Sequence, residues 1–137
     1  MNFDMPEERM REASLISFEF LHKVPEASGV YGAWLEGESS CFYVGSADNL
    51  KRRIDEHFSG SRAADRFCLY VYDLYVHDKR PSGLKTREVN KLTKIWIREN
   101  IKFKCVEVQE SEAKELEREM RRKWKPILNP LQKGKIN

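Results

Sequence analysis

Two short stretches in which apolar and polar residues alternate predict a pair of β-strands. They cover residues 30–35 and 41–45, and the segment 36–40 between them has the composition of a turn. Strands joined by so short a connection pair antiparallel, so the pattern predicts a hairpin. A third strand is predicted over residues 103–108, where Lys104 alternates with apolar neighbours.

Apolar residues spaced by three or four positions predict the helices. Leu50, Ile54 and Phe58 form one apolar stripe, and residues 86–100 and 112–124 show the same spacing. Together with the strands, these helices predict an α+β fold in which a small antiparallel sheet is flanked by helices.

Two further stretches extend this pattern. Pro6 suits a first helical turn, so the N-terminal extension of residues 5–24 is predicted to be helical. Residues 68–76 are rich in β-branched and aromatic side chains, which predicts one extra strand.

The size and composition of the chain are those of one ordinary globular domain. Its 137 residues leave room for a single core, so we assign residues 1–137 to one domain. No apolar run reaches the roughly 20 residues of a membrane helix. The acidic N-terminus lacks the basic start and apolar run of a signal peptide. We therefore expect a cytoplasmic protein that does not enter a membrane.

Charge is unevenly distributed along the chain. The net charge is +3, but residues 1–38 carry −5, so the remainder carries +8, with the densest basic run over residues 118–135. A basic face suits a polyanion such as nucleic acid. The same charges would also suit a solvated helix face, so charge alone does not establish the partner.

The three cysteines give no sign of a metal centre. Cys41, Cys68 and Cys105 are odd in number and widely spaced, and no pair has the spacing of metal ligands. We expect free thiols packed among apolar neighbours.

Two tripeptides and the helix that follows them resemble a known family. A Gly-Val-Tyr sequence ends at Tyr31 and a Tyr-Val-Gly sequence begins at Tyr43. Both are similar to the paired motifs that name the GIY-YIG nucleases. Arg53 follows Tyr43 by ten residues and His57 comes four residues later, as in that family.

Two downstream motifs extend the resemblance. Glu117 follows a leucine in the last predicted helix, and Asn129 stands before a proline, as in the family's glutamate helix and its asparagine. The resemblance covers residues 29–130, which we take as the core. Relative to it, residues 62–86 form an insertion.

The resemblance implies a three-stranded antiparallel sheet and hydrolysis of phosphodiester bonds in DNA. It also implies one divalent metal ion, Mg²⁺ or Mn²⁺, and no small-molecule cofactor. The catalytic residues that it implies are Tyr31, Tyr43, Arg53, His57, Glu117 and Asn129. The residues that we expect to contact nucleic acid are Arg52, Arg121, Arg122 and Lys125.

The metal and phosphate assignments make chemical sense. Mg²⁺ prefers carboxylate oxygen, so Glu117 is the metal candidate, although a glutamate here could equally be a solvated helix residue. A guanidinium pairs with phosphate through two hydrogen bonds, so Arg53 is the phosphate candidate. Arg52 lies about 100° away around the helix.

The resemblance assigns Tyr31 the removal of a proton from the attacking water. A free phenol has a pKa near 10, so this role needs assistance. Some relatives carry a lysine where this chain has Ser46, which shifts the burden to His57. The alternatives are a packing role for both tyrosines and helix-end stabilisation by His57. Asn129 either fixes local geometry or approaches the phosphate, or is a turn residue.

The insertion and the source of specificity remain open. Its basic and aromatic residues could hold nucleic acid or form an added strand and loop. Specificity could come from this insertion, from the basic tail, from a second copy of the chain in a homodimer or from a partner protein. The alternative functions are a non-cleaving nucleic-acid-binding module of the same fold and an interaction protein with an incidental match.

Overall fold

The structure is a computed structural model that describes residues 4–129. This part of the chain contains three strands and five α-helices. In order they are α1 (Asp4–Glu12), β1 (Gly29–Leu35), β2 (Cys41–Ala47), α2 (Leu50–Phe58), α3 (Arg66–Val71), α4 (Thr86–Asn100), β3 (Ile101–Glu107) and α5 (Glu110–Trp124).

The strands form one antiparallel sheet in the order β2-β1-β3. β1 takes the centre because its side chains are almost all apolar, and six of its seven residues are buried. The expected α+β fold with a small antiparallel sheet is confirmed. Within residues 4–129 no further strand extends it.

The sheet separates two apolar clusters, and burial of each large apolar side chain stabilises the fold by about 1.5–3 kcal/mol. The larger cluster lies against α2, α3 and α4, and its fully buried members include Ile54, Phe58, Phe67, Ile97 and Phe103. The smaller cluster lies against α1 and α5, and its buried members include Met10, Val30, Val44, Leu116 and Met120.

The prediction of an extra strand over residues 68–76 is wrong, because the segment is helical. α3 begins after Asp65, whose side chain accepts a hydrogen bond from the Phe67 backbone N–H, and a π-helical turn (Tyr72–Val76) continues it. Phe67, Val71 and Val76 are buried at helical spacing, so burial on one helix face overrides their preference for strands.

The N-terminal extension is helical only in part. α1 ends at Glu12, and a 3₁₀ helix occupies Phe18–Lys23. Between them Ile16 leaves the helical path and pairs with Phe103, with backbone N···O distances of 2.7 and 2.9 Å in the two directions. This bridge at the outer edge of β3 interrupts the predicted helix.

No helix in the described part of the chain is both long and apolar enough to cross a membrane.

Candidate functional site

The two tyrosines of the tripeptide motifs meet on the face of the larger cluster. Tyr31 lies opposite Gly45 in the β1–β2 register. A Cβ at residue 45 would lie 2.5 Å from the Tyr31 hydroxyl oxygen, so only glycine lets the ring cross β2. The centroids of the Tyr31 and Tyr43 rings are 6.0 Å apart. The glycine of the second motif therefore makes room for the tyrosine of the first.

A buried chain of hydrogen bonds runs inward from Tyr31. Its hydroxyl oxygen lies 2.6 Å from Nε2 of His57, and Nδ1 of His57 lies 2.6 Å from Oδ2 of Asp65. An ionised carboxylate only accepts hydrogen bonds, so Nδ1 carries the proton and donates to Asp65. Nε2 of the neutral ring is then an acceptor, and the Tyr31 hydroxyl donates to it.

Burial and neighbouring charges set the protonation states of this chain. Burial raises the pKa of Tyr31 well above its ordinary 10.0, and Tyr43 adds to the rise. Burial lowers the pKa of His57 below its ordinary 6.5, although Asp65 opposes the shift. Burial alone would raise the pKa of Asp65, but His57 and Arg53 hold it below 3.8. At neutral pH the three groups are a phenol, a neutral imidazole and a carboxylate.

Arg53 joins this group from α2, one helical turn before His57. Its guanidinium lies 3.5 Å from Oδ1 of Asp65 and 3.6 Å from Oε2 of Glu56. The side chain is 29% exposed, so Arg53 retains an open side towards solvent. Arg52 points elsewhere and pairs with Asp48 at 2.8 Å, with 62% of its side chain exposed. Of the two arginines, Arg53 is the one that contacts the buried chain.

Glu117 lies on the other side of the sheet, held from two directions. The Ser46 hydroxyl donates to Oε1 of Glu117 at 2.5 Å, and Nη1 of Arg121 donates to Oε2 at 3.0 Å. Ser46 therefore ties the carboxylate on α5 to the end of β2. The serine that replaces the lysine of some relatives contacts the metal candidate and is not among the contacts of Tyr31 or His57.

The donor atoms around Glu117 fit a magnesium-like ion. Glu117 and Ser46 offer carboxylate and hydroxyl oxygen, which hard divalent cations prefer. Within residues 4–129 no group of three or more His, Cys, Asp or Glu side chains could hold an ion. A single carboxylate suits Mg²⁺, which commonly completes its coordination with water and substrate phosphate.

Asn129 lies against the backbone of β2. Its Oδ1 accepts from the Val44 N–H at 2.8 Å, and its Nδ2 donates to the Val44 carbonyl at 2.7 Å. β2 is an edge strand, so these two bonds satisfy backbone groups that no neighbouring strand reaches. The geometry favours the reading in which Asn129 fixes the position of β2, next to Tyr43 and Gly45.

A cleft of about 370 Å³ connects the two sides of the site, since both Ser46 and Arg53 line it. Its other lining residues are Ala47, Asp48, Arg52, Glu56, Glu110, Ala113 and Lys114. Arg122 pairs with Glu119 on the exposed face of α5, and neither Arg122 nor Lys125 lines the cleft. The two terminal lysines of the basic tail lie outside the described residues.

Sequence reasoning missed Asp65 and Lys114. Asp65 carries one signal, an acidic residue directly before a helix, but the segment that it caps was predicted as a strand. Lys114 is an exposed lysine among exposed glutamates, and only the position of α5 beside α2 brings it to the cleft.

The three cysteines are free thiols, as expected. Burial raises the pKa of Cys41 to about 12 and that of Cys105 to about 11. Cys68 is fully buried, and burial raises its pKa too. None of the three is poised as a nucleophilic thiolate at neutral pH.

The fold and this arrangement of residues define a class of catalytic domain. It has a central hairpin with paired Tyr-containing motifs, an Arg and His helix behind it, and a glutamate helix on the opposite face. The model of the GIY-YIG catalytic domain family matches residues 22–136, so the chain belongs to the GIY-YIG family.

The chain is also similar to named relatives. It is 32% identical over 89 residues to UvrABC system protein C of Aromatoleum aromaticum, a match that covers 62% of this chain but only 15% of that protein. The GIY-YIG N-terminal endonuclease domain of UvrC from Thermotoga maritima, a point mutant bound to its catalytic divalent cation, is 20% identical. That match covers 81% of this chain and 91% of the other, with a TM-score of 0.45. The magnesium-bound form of the same domain is 18% identical to this chain. That match covers 94% of this chain and 99% of the other, with a TM-score of 0.41.

Proposed function

We propose that this chain is a metal-dependent endonuclease that hydrolyses phosphodiester bonds in DNA. The observation that carries the proposal is the 2.6 Å hydrogen bond between Tyr31 and His57, with Arg53 beside it. A phenol paired with a neutral imidazole can accept a proton, and packing alone does not require such a pair. Membership of the GIY-YIG family supports the same conclusion.

The paired groups supply a route for the proton of the attacking water. As the water oxygen attacks phosphorus, its proton passes to the Tyr31 oxygen while the Tyr31 proton passes to Nε2 of His57. Tyr31 therefore never needs to become a free phenolate, which its raised pKa would make costly. His57 becomes an imidazolium ion, and the leaving oxygen departs with the electron pair of the broken P–O bond and takes a proton from solvent. His57 then returns its extra proton to solvent.

Arg53 and an ion held by Glu117 would stabilise the negative charge on the phosphate. Arg53 donates hydrogen bonds to the phosphate oxygens as negative charge develops there. Glu117, held by Ser46, would hold one Mg²⁺ or Mn²⁺ ion, which when bound supplies positive charge to the phosphate and to the leaving oxygen. Tyr43 orients the phosphate from the strand beside Tyr31.

The wall of the cleft must open slightly for this chemistry. Tyr31 exposes 1% of its surface and His57 none, so the proton path lies behind the cleft surface. We propose that the site opens slightly near Arg53 when DNA binds. Asn129 contributes by fixing β2, and Arg52, Arg121, Arg122 and Lys125 are proposed contacts to the DNA backbone. We also propose that the protein is cytoplasmic.

The decisive experiment is a cleavage assay with and without Mg²⁺ on supercoiled plasmid, branched duplexes and single strands. Glu117→Gln should abolish Mg²⁺-dependent nicking while leaving folding and DNA binding intact, because it removes the metal ligand and preserves size. Glu115→Gln is the matched control, since Glu115 is exposed on the same helix. Cleavage by Glu117→Gln at the wild-type rate would show the metal assignment to be wrong.

The same assay separates the nuclease from a non-cleaving binding module of the same fold. A binder would shift these DNAs in a gel with or without Mg²⁺ and leave every phosphodiester bond intact. A protein with an incidental resemblance would do neither.

A further inference from the structure

Asp65 is buried behind His57, in the segment 62–86 whose role the sequence left open. We propose that Asp65 is a positioning residue that holds His57 in the tautomer able to accept the Tyr31 proton. The inference rests on the proposed function, and it gives this segment a place behind the proton path, away from the DNA.

The two carboxylate oxygens of Asp65 have separate partners. Oδ2 lies 2.6 Å from Nδ1 of His57 and also accepts from the Cys68 thiol at 3.4 Å. Oδ1 accepts the Phe67 backbone N–H at 3.1 Å as the N-cap of α3, and Arg53 donates to it at 3.5 Å. The side chain is 2% exposed. Because one oxygen is fixed by the helix, the other is held at His57, and the carboxylate cannot rotate without losing both bonds.

This contact selects one tautomer of the neutral ring. A carboxylate can only accept, so it keeps the His57 proton on Nδ1 and leaves Nε2 free to accept from Tyr31. After proton transfer, the ring is positive and fully buried, away from bulk solvent. The adjacent carboxylate then stabilises that charge.

Several other titratable groups face His57, and none of them can replace Asp65. They are Tyr31 on β1, Tyr43 on β2, Arg53 and Glu56 on α2, and Cys68 on α3. Glu56 acts only through space, and Arg53 disfavours a charged ring. Among the described residues, Asp65 is the carboxylate that is hydrogen-bonded to the imidazole.

Helix capping alone does not explain why residue 65 is an aspartate. A cap needs only one acceptor oxygen, and asparagine caps helices as well as aspartate does. The second oxygen, aimed at His57, is what an asparagine could not reproduce. This difference makes Asp65→Asn a substitution that keeps the cap and changes the tautomer.

In Asp65→Asn, the amide oxygen keeps the Phe67 N–H and the amide NH₂ faces Nδ1 of His57. The ring must then carry its proton on Nε2, where it can no longer accept from Tyr31. We expect kcat to fall by about 100-fold or more while KM stays unchanged, the scale of losing general-base assistance. The remaining activity comes from the minor Nδ1–H form of the ring. Its acid limb in the pH–rate profile should lie at lower pH than in the wild type, because losing the carboxylate lowers the His57 pKa further.

Val71→Ala is the control for a merely structural effect. Val71 is fully buried in the same helix, so its truncation loosens α3 without touching His57. It should leave the acid limb where it is in the wild type. If Asp65→Asn keeps the wild-type kcat and acid limb, or if it only repeats the behaviour of Val71→Ala, the positioning role is overturned.

Nitrogen NMR provides a second readout that needs no cleavage. The chain has three histidines, and His57→Gln assigns the relevant signals. We expect the Nδ1–H form in the wild type and the Nε2–H form in Asp65→Asn. The same tautomer in both would refute the inference. If the wild type cuts no DNA yet the tautomer switches, the proposed nuclease function fails while the contact between Asp65 and His57 stands.

Discussion

His57 is fully buried between the two motif tyrosines and the acidic cap of α3, and its titration should be visible in the cleavage rate. In the proposed mechanism its neutral form accepts the Tyr31 proton, and burial lowers its pKa below 6.5. Activity should therefore rise with pH through an inflection below 6.5 and remain flat above it. His57→Ala should remove that inflection and lower the plateau, while Tyr31→Phe should nearly eliminate turnover.

A rate profile measured at saturating Mg²⁺ and DNA is the appropriate test. If His57 were a cation that binds phosphate, the wild-type rate would fall as pH rises through its pKa. A flat profile through the acid range would deny His57 either titrating role.

The neighbouring arginines 52 and 53 allow a matched comparison at the level of single residues. Arg53→Ala should reduce kcat by about 100-fold or more, the scale of losing a transition-state donor. Arg52→Ala should mainly raise KM, because Arg52 is largely exposed and contacts Asp48. Single-turnover rates at saturating DNA distinguish the two. Equal losses in both variants would mean that neither arginine is specific to the transition state.

Some of these residues could be predicted from the sequence and others could not, because the contacts of the second group form only in the folded chain. Tyr31, Arg53 and Glu117 could be proposed because each stands in a short motif with fixed local spacing. Asp65 could not, because its bond to His57 depends on the turn between α2 and α3 folding back across eight positions. In the sequence, Ser46 only marked the absence of a lysine that some relatives carry. Its bond to Glu117 could not be predicted, because the two residues are 71 positions apart.

At the scale of elements, Glu7 fastens α1 to the end of α5. It accepts hydrogen bonds from Nε1 of Trp124 at 2.8 Å, from Nζ of Lys123 at 3.2 Å and from Arg11 at 3.2 Å. Glu7→Ala should lower the free energy of unfolding by about 1–3 kcal/mol, because it leaves partly buried donors without their acceptor.

Glu8→Ala is the matched control, since Glu8 occupies the same helical turn but is exposed, and it should change stability by no more than about 0.5 kcal/mol. Urea unfolding at neutral pH measures both. Burial alone would raise the pKa of Glu7, but its hydrogen bonds hold it below 4.5. The difference between the two variants should therefore shrink as pH falls below 4.5. Equal stabilities would mean that α1 is not held by Glu7.

The elements themselves were predictable where pattern and propensity agree. The helix predicted over residues 86–100 coincides with α4, and all three strands of the sheet were anticipated within one or two residues. Residues 68–76 show what happens when the two signals conflict. Their side chains favour strands, yet the apolar ones recur at helical spacing, and burial against the larger cluster decides the outcome.

At the scale of the whole molecule, the sheet divides the site into two halves. The proposed proton path lies on the face that packs against α2 and α3, and the metal candidate lies on the face that packs against α5. They meet at the end of β2, whose free edge is fixed by Asn129. No single stretch of sequence contains all of these residues, because their proximity depends on β1 pairing with β2 and on α5 packing against both strands.

The cleft at this meeting point predicts where DNA crosses the molecule. Arg52 from α2 and Lys114 from α5 line it from opposite walls. If both contact phosphates, the double variant Arg52→Ala/Lys114→Ala should weaken binding and reduce the slope of log affinity against log salt by up to about 1.8, at roughly 0.9 per contact. The double variant Arg87→Ala/Lys91→Ala is the control with equal charge loss, since those side chains line a different groove along α4. Affinities measured across a salt series with an uncleavable duplex or without Mg²⁺ decide between them. A reduced slope only in the α4 variant would place the DNA on that face, away from the cleft that joins Arg53 to Ser46.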